Sequence, residues 1–168
     1  VTRKITKGVS MLKRFIDKGQ KPVALQLGNL ESKRDWGHAQ DYVEGIWRMV
    51  NQQEFNPNFE KPKDYVIATG ETHTIREFLE KAMTHAGIPF KKSETTIEGQ
   101  QIEYFHPETG DALVCINPKY FRPAEVNILL GNPSAIENDL NWTRKVSFDD
   151  LIKRMVDRDL ELVQSFDH

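Results

Sequence analysis

One cysteine, Cys115, is the whole thiol inventory of this 168-residue chain, so no intrachain disulfide can form. A secreted disulfide scaffold is thereby excluded, and a reducing, cytoplasmic setting is the expectation. Cys115 sits in the apolar run 112–116 and reads as a small buried hydrophobe rather than a nucleophile. No apolar stretch approaches the roughly 20 residues that a membrane span needs, and no signal-peptide pattern is read. An excess of charge of one sign is also lacking. The 23 Lys and Arg nearly cancel the 25 Asp and Glu, leaving a formal net charge of -2. No strong field favours a polyanion, so neither nucleic acid nor a membrane is an expected partner. The phosphate-cradling patterns Gly-x-Gly-x-x-Gly and Gly-x-x-x-x-Gly-Lys-Ser/Thr are absent. The histidines at 38, 73, 85, 106 and 168 never pair with Cys or another His at metal-ligand spacing, so no metal site is expected.

What is present suits one domain with one core, since apolar residues make up 38% and include nine Phe. The chain begins at Val1 and enters a helix within a few positions, which reads as a piece whose partner segment lies elsewhere. Helical periodicity places Ile5, Val9, Leu12 and Ile16 on one face of residues 5–17, with Gly19 ending the helix. Residues 22–27 read as a strand. A helix over 39–53 carries the apolar stripe Val43, Ile46, Trp47 and Val50. Residues 55–62 read as a loop and 65–68 as a short strand. Thr74 and Glu77 have capping-box spacing and open a helix burying Ile75, Phe78, Leu79, Ala82 and Met83, stopped by Gly87. Residues 89–110 read as irregular and 111–116 as a strand. Short helices are expected over 123–130 and from Asn132-Pro133 to Leu140, and a last one from Ser147 with a full apolar face. The pattern is α/β or α+β, with three strands making a thin sheet.

Chemistry-bearing residues cluster at element ends. Arg122 directly precedes Pro123, and Glu125 is three residues on, near one face of a helix start. A guanidinium there would reach an anion facing the helix N-terminus, while Glu125 would accept bonds from sugar hydroxyls. The plainer alternative is a surface ion pair between the two, worth about 0–1 kcal/mol. Arg34 lies in a polar run with Asp35, Trp36, Gly37 and His38, close in character to Gly28 and Asn29. Lys4 opens the first helix and reads equally as a plain surface lysine.

At these residues the chain resembles the GDP-mannose 4,6-dehydratases, among the extended short-chain dehydrogenase/reductases. The likeness rests on residues 1–6 (Val-Thr-Arg-Lys-Ile-Thr), Leu27-Gly28-Asn29, and residues 33–39 (Lys-Arg-Asp-Trp-Gly-His-Ala). It continues through Asp41-Tyr42-Val43, residues 65–71, Arg76-Glu77-Phe78, residues 120–126 (Tyr-Phe-Arg-Pro-Ala-Glu-Val) and Leu140-Asn141-Trp142. The resemblance implies an enzyme that uses NADP to oxidise GDP-mannose at C4, eliminates water across C5 and C6, and returns the hydride. It implies that residues 1–168 are the carboxyl-terminal portion: the smaller substrate-binding lobe plus a late strand of the Rossmann sheet. The NADP-binding segment and the Tyr-x-x-x-Lys pair would lie outside it, so no catalytic or cofactor residue is assigned here. By motif, Val1 and Lys4 fall near the guanine nucleotide, Arg34 and Arg122 at the diphosphate or ribose, and Glu125 in the same cluster. Asp35, Trp36 and His38 would fix the Arg34 loop. A homo-oligomer is implied. Departures fall at residues 11–24, 55–62 and 91–110. Another nucleotide-sugar epimerase or reductase, or a non-catalytic binding or assembly module, remains the alternative.

Overall fold

A computed structural model of the chain describes residues 1–93, 95–97, 99–121, 126 and 128–165. Its elements in chain order are α1 (Thr2–Asp17), β1 (Leu25–Leu27), β2 (Lys33–Arg34), α2 (Ala39–Val50), α3 (Gln52–Phe55), β3 (His73–Thr74) and α4 (Ile75–His85). β4 (Lys91–Lys92), β5 (Thr96–Ile97), β6 (Gln100–Phe105) and β7 (Ala112–Ile116) follow, then α5 (Ser134–Leu140) and α6 (Phe148–Gln164). A 3-10 turn occupies Pro118–Tyr120, and a small ladder joins β2 to β3. The fold is α/β. Contacts divide the chain into two units: Val1–Ser32, Thr74–Asn127 and Ile152–His168 form the first, and Lys33–His73 and Ile128–Leu151 the second.

The first unit is built on a mixed sheet ordered β1-β7-β6-β4, with β5 also paired to β6. β1 runs parallel to β7, Leu25 opposite Val114 and Leu27 opposite Ile116, whereas β6 and β7 form an antiparallel hairpin. The expected irregular region 89–110 therefore contains three strands, and the expected three-stranded sheet has five. The reason lies in β6. Its register shifts twice, between Ile102 and Tyr104 and again at Phe105. Ile102, Glu103 and Tyr104 are consecutively buried, so the period-2 signature is lost.

Helices of this unit follow their sequence signals. Ile5, Val9 and Leu12 bury one face of α1, while Ile16 is only half-buried. The helix ends where Gly19 N–H donates to Ile16 O and Gln20 N–H to Phe15 O, with Gly19 at φ 63°. Those paired bonds need a left-handed residue, and glycine supplies it without steric cost. α4 starts on the expected capping box: Thr74 accepts from Glu77 N–H, and Glu77 reaches back to Thr74 N–H. All five of its expected apolar residues are buried. α6 contributes Ile152, Val156 and Val163 to the core and brings Asp159 in with them. That carboxylate, 1% exposed, accepts from Thr6 Oγ1 at 2.6 Å and pairs with Arg3 at 2.8 Å, which answers the cost of burying it.

Tyr104 gives this unit a predictable alkaline weakness. Its ring is fully buried and its hydroxyl donates to Glu80 at 2.5 Å. Burial, then the bond to Glu80, raises its pKa above the ordinary 10.0, against the opposing bond from Arg76. A folded-state value above the unfolded one means that the contribution is complete below the unfolded value and fades as pH climbs past it. Wild type should lose stability at up to about 1.4 kcal/mol per pH unit between about pH 10 and 12 from this group. Urea midpoints across that range should fall less steeply in Tyr104→Phe. Parallel slopes would show that Tyr104 does not set the decline.

In the second unit, Trp142, Ile136 and Leu140 form a small core, with Met49, Phe55, Tyr65 and Ile67 packed against it. α2 faces this core with Gly45, where an added Cβ would lie 3.0 Å from Ile67 and 3.2 Å from the Trp142 Nε1. The apolar stripe of α2 exists as expected but points outward: Val43 is 65% exposed, Ile46 51%, Trp47 61% and Val50 73%. Residues 65–68 take part in no strand ladder among the described residues. Ala68 packs instead against the Gly131 backbone, where an added Cβ would meet it at 2.2 Å. Of the helix expected over 123–130, Pro123, Ala124, Glu125 and Asn127 lie outside the described residues. Ile128 bridges Lys33 in parallel, and Leu129 N–H donates to Lys33 O at 3.2 Å, so 128–130 is not helical.

Candidate functional site

The carboxyl ends of β1 and β7 carry the chemistry of the first unit. Ligands of open α/β sheets collect beyond such ends, where loops diverge. Here Asn117 N–H donates to Leu27 O at 2.7 Å, and the Asn117 amide donates to Gln26 Oε1 at 2.6 Å. The Asn117 Oδ1 also accepts from Lys119 N–H, which starts the 3-10 turn. This turn is drawn tightly over Gly28, where an added Cβ would lie 2.6 Å from Tyr120 O. Only glycine fits that approach. Tyr120 then receives Lys4, whose Nζ stands 3.4 Å from the ring centroid. Such a cation–π contact is worth about 0.5–2 kcal/mol, depending on solvation. Val1 precedes α1 and accepts from Ile5 N–H through its carbonyl at 3.1 Å, with its side chain 55% exposed. The arrangement places a held ammonium, an aromatic face and the positive end of a 16-residue helix at one edge, which suits an anionic ligand.

Arg34 belongs to the second unit. It lies in β2, where its Nη1 donates to Lys33 O at 2.7 Å. The residues after it are committed to holding this segment. Asp35 accepts from Thr69 N–H at 3.0 Å, Thr69 Oγ1 at 2.7 Å and Gly70 N–H at 3.2 Å. Trp36 stacks on Phe148 with ring centroids 5.9 Å apart, and His73 stacks on the same ring at 3.7 Å. Gly37 leaves room for the Tyr42 ring, which an added Cβ would meet at 2.1 Å. His38 caps α2, its Nδ1 accepting from Gln40 N–H. Nearby, the Arg144 guanidinium bonds Glu71 and holds its carboxyl below the usual carboxylate range.

The sequence-derived candidates thus divide. Val1 and Lys4 stand in the first unit and Arg34 in the second. Arg122 and Glu125 lie outside the described residues. Gly28, singled out at an element end, meets Tyr120, which the residue-by-residue reading left out. Their signal was present, since both fall inside the resembling blocks, but Lys4 and Tyr120 are too far apart in the chain for spacing to join them. Among the described residues no group of three or more His, Cys, Asp or Glu is placed to hold a metal. No helix among them is long and apolar enough to cross a membrane. A dinucleotide cradle does not fit here either. β1 passes through Gly28-Asn29 to β2 and β7 into a 3-10 turn, so neither parallel strand feeds a glycine turn into a helix N-terminus.

This α/β architecture, built on a mixed sheet, is shared with solved structures of low sequence identity. The solved structure of RMD from Pseudomonas aeruginosa complexed with NADPH has a TM-score of 0.65 at 14% identity, covering 95% of this chain and 43% of that one. UDP-glucose 4-epimerase from Bifidobacterium longum, in complex with NAD+ and UDP, has a TM-score of 0.61 at 15% identity, covering 98% and 40%. At these identities the likeness is one of fold. The family follows from sequence: a model described as GDP-mannose 4,6 dehydratase matches residues 1–155, and the chain belongs to that family. It is 44% identical over 167 residues to GDP-mannose 4,6 dehydratase of Dictyostelium discoideum, covering 99% of this chain and 43% of that protein. It is 41% identical over 168 residues to the Homo sapiens protein of that name, covering 98% and 40%. The chain therefore spans about two-fifths of the length of these curated relatives.

Proposed function

We propose that the protein carrying this chain converts GDP-mannose to GDP-4-keto-6-deoxymannose by NADP-dependent oxidation, dehydration and re-reduction. In this reading residues 1–168 supply the side of the cleft that grips the GDP-sugar. Val1, Lys4, Arg34, Arg122 and Glu125 contact the nucleotide half, and NADP and the proton-transfer residues belong to an amino-terminal Rossmann portion. The observation that carries it is the Lys4–Tyr120–Gly28 platform at the carboxyl ends of β1 and β7, which leads in sequence directly to Arg122. It puts a cation and an aromatic face where an anionic nucleotide is favoured. The outward stripe of α2 supports the larger assembly. Four large apolar side chains at i, i+3, i+4 and i+7 favour burial against further polypeptide. The near-neutral charge agrees with a cytoplasmic homo-oligomer acting on a small nucleotide sugar, without nucleic-acid or membrane partners.

Arg122→Ala should weaken GDP binding by about 1–3 kcal/mol, the usual cost of a lost charge-assisted bond. Calorimetry with GDP checks this, and an unchanged affinity would remove Arg122 from the site. Turnover assays across nucleotide sugars test the substrate. Preference for a UDP or dTDP sugar over GDP-mannose would point to an epimerase or reductase of the same class.

A further inference from the structure

Asp159 lies in α6 between the core residues Val156 and Val163. Its side chain is 2% exposed, whereas that of its ion-pair partner Arg3 is 59% exposed. A buried carboxylate in such a pair adds little net stability, because the Coulomb gain roughly offsets the loss of hydration. What it does add is direction. Oδ1 takes Arg3 Nη1 at 2.8 Å, and Oδ2 accepts from Thr6 Oγ1 at 2.6 Å. The two donors lie three residues apart, on one face of the first turns of α1. Thr6 is itself fully buried, and its carbonyl accepts from the buried Ser10 Oγ at 2.9 Å. Ile5, Val9 and Leu12 decide which face of α1 is buried. Apolar burial is non-directional, however, and leaves fine rotation and axial shift open. Two directed bonds to one carboxylate close both.

The setting of α1 has its consequence at Lys4, which stands between Arg3 and Thr6 in the chain. Its Nζ is 3.4 Å from the centroid of the Tyr120 ring. Each helical residue turns the chain by about 100°, so a partial turn of α1 is enough to carry the ammonium off the ring. Asp159, Arg3, Thr6, Lys4 and Tyr120 all belong to the first unit.

We propose that Asp159 is a positioning residue: through Arg3 and Thr6 it fixes the setting of α1 that seats Lys4 on Tyr120. Its bearing on nucleotide binding rests on the function proposed above. NMR of the full-length protein carrying this chain, made with isotope-labelled lysine, reads the seat directly. The Lys4 ε-methylene signal, identified by its loss in Lys4→Met, should lie upfield through the Tyr120 ring current. Thr6→Val/Asp159→Leu exchanges the polar contact for apolar groups of similar size and lets Arg3 turn to water. Such exchanges are often neutral or stabilising, so the thermal midpoint should hold or rise. The Lys4 signal should nevertheless move to the ordinary lysine position, and GDP affinity should fall about ten-fold. In a Lys4→Met background the same pair should cause no further loss of GDP affinity. Asp159→Asn keeps the volume and an acceptor for Thr6 but releases Arg3, and should move the signal the same way by less. It also serves as the test if the apolar pair does not fold. An unmoved Lys4 signal in either folded variant would overturn the proposal. A moved signal with unchanged GDP affinity would uphold it and overturn the nucleotide reading instead.

Discussion

Trp142→Ala should remove about 3–5 kcal/mol from the stability of the second unit, the range for deleting a large buried aromatic side chain. Trp142 is 1% exposed and is the largest fully buried side chain described. It holds Ile136 and Leu140 on one side and the partly buried Met49, Phe55, Tyr65 and Ile67 around it. Its indole N–H also donates to the Asp41 carbonyl at 2.8 Å, a bond that the variant would lose. Asp41 itself is 4% exposed, and its Oδ2 accepts from Lys145 N–H and Val146 N–H, both at 3.0 Å. The indole and the carboxylate therefore fasten the start of α2 to the chain after α5 from two directions. Denaturant unfolding followed by circular dichroism should show a lower midpoint with an unchanged slope. Trp142→Phe keeps most of the volume and should cost less, with about 0.5–1.5 kcal/mol of it from the lost hydrogen bond. A loss below about 1 kcal/mol in the alanine variant would show that this cluster does not hold the unit together.

Arg76→Met should be comparably severe in the first unit, at about 3–5 kcal/mol, because it strands a buried charge. From the first turn of α4, the guanidinium donates to Glu103 at 2.6 Å, to the Tyr104 hydroxyl at 2.8 Å and to Glu31 at 2.7 Å. Burial works against its charge, yet the bonds to Glu103, Tyr104 and Glu31 outweigh it and raise its pKa above the already high value for arginine. Glu103 has only a tenth of its side chain exposed, so losing Arg76 leaves a desolvated carboxylate, whereas Glu31 returns to water at little cost. The double variant Arg76→Met/Glu103→Gln separates the two effects. It should recover most of the loss, since removing both charges relieves the desolvation that removing one exposes. Equal instability of the single and double variants would place the cost in lost packing instead.

How much of this was legible from the residues depended on whether the signal was local. The α4 cap could be read from Thr74 and Glu77, and the helix stops from Gly19 and Gly87, because those bonds join residues within a turn. β6 could not, since its two register shifts exist only relative to β7. The α2 stripe was read with the right period, but its exposure was not legible. Periodicity finds an apolar face but not its partner, and the face that is packed within the second unit carries Asp41 and Gly45. The site divides in the same way. Asp35, Trp36 and His38, read as fixing the Arg34 segment, are an amide acceptor, a ring stack and a cap. The seat of Lys4 on Tyr120 is a meeting of chain-distant residues, which no spacing encodes.

The missing side chain at position 28 has a reach beyond its own turn. With Tyr120 O only 2.6 Å from where a methyl group would stand, even alanine would push the 3-10 turn off the strand ends and withdraw the ring from under Lys4. Position 28 is thus a mechanical set-screw on the turn that carries Tyr120. A change there would leave every charge in place and move the floor on which Lys4 stands.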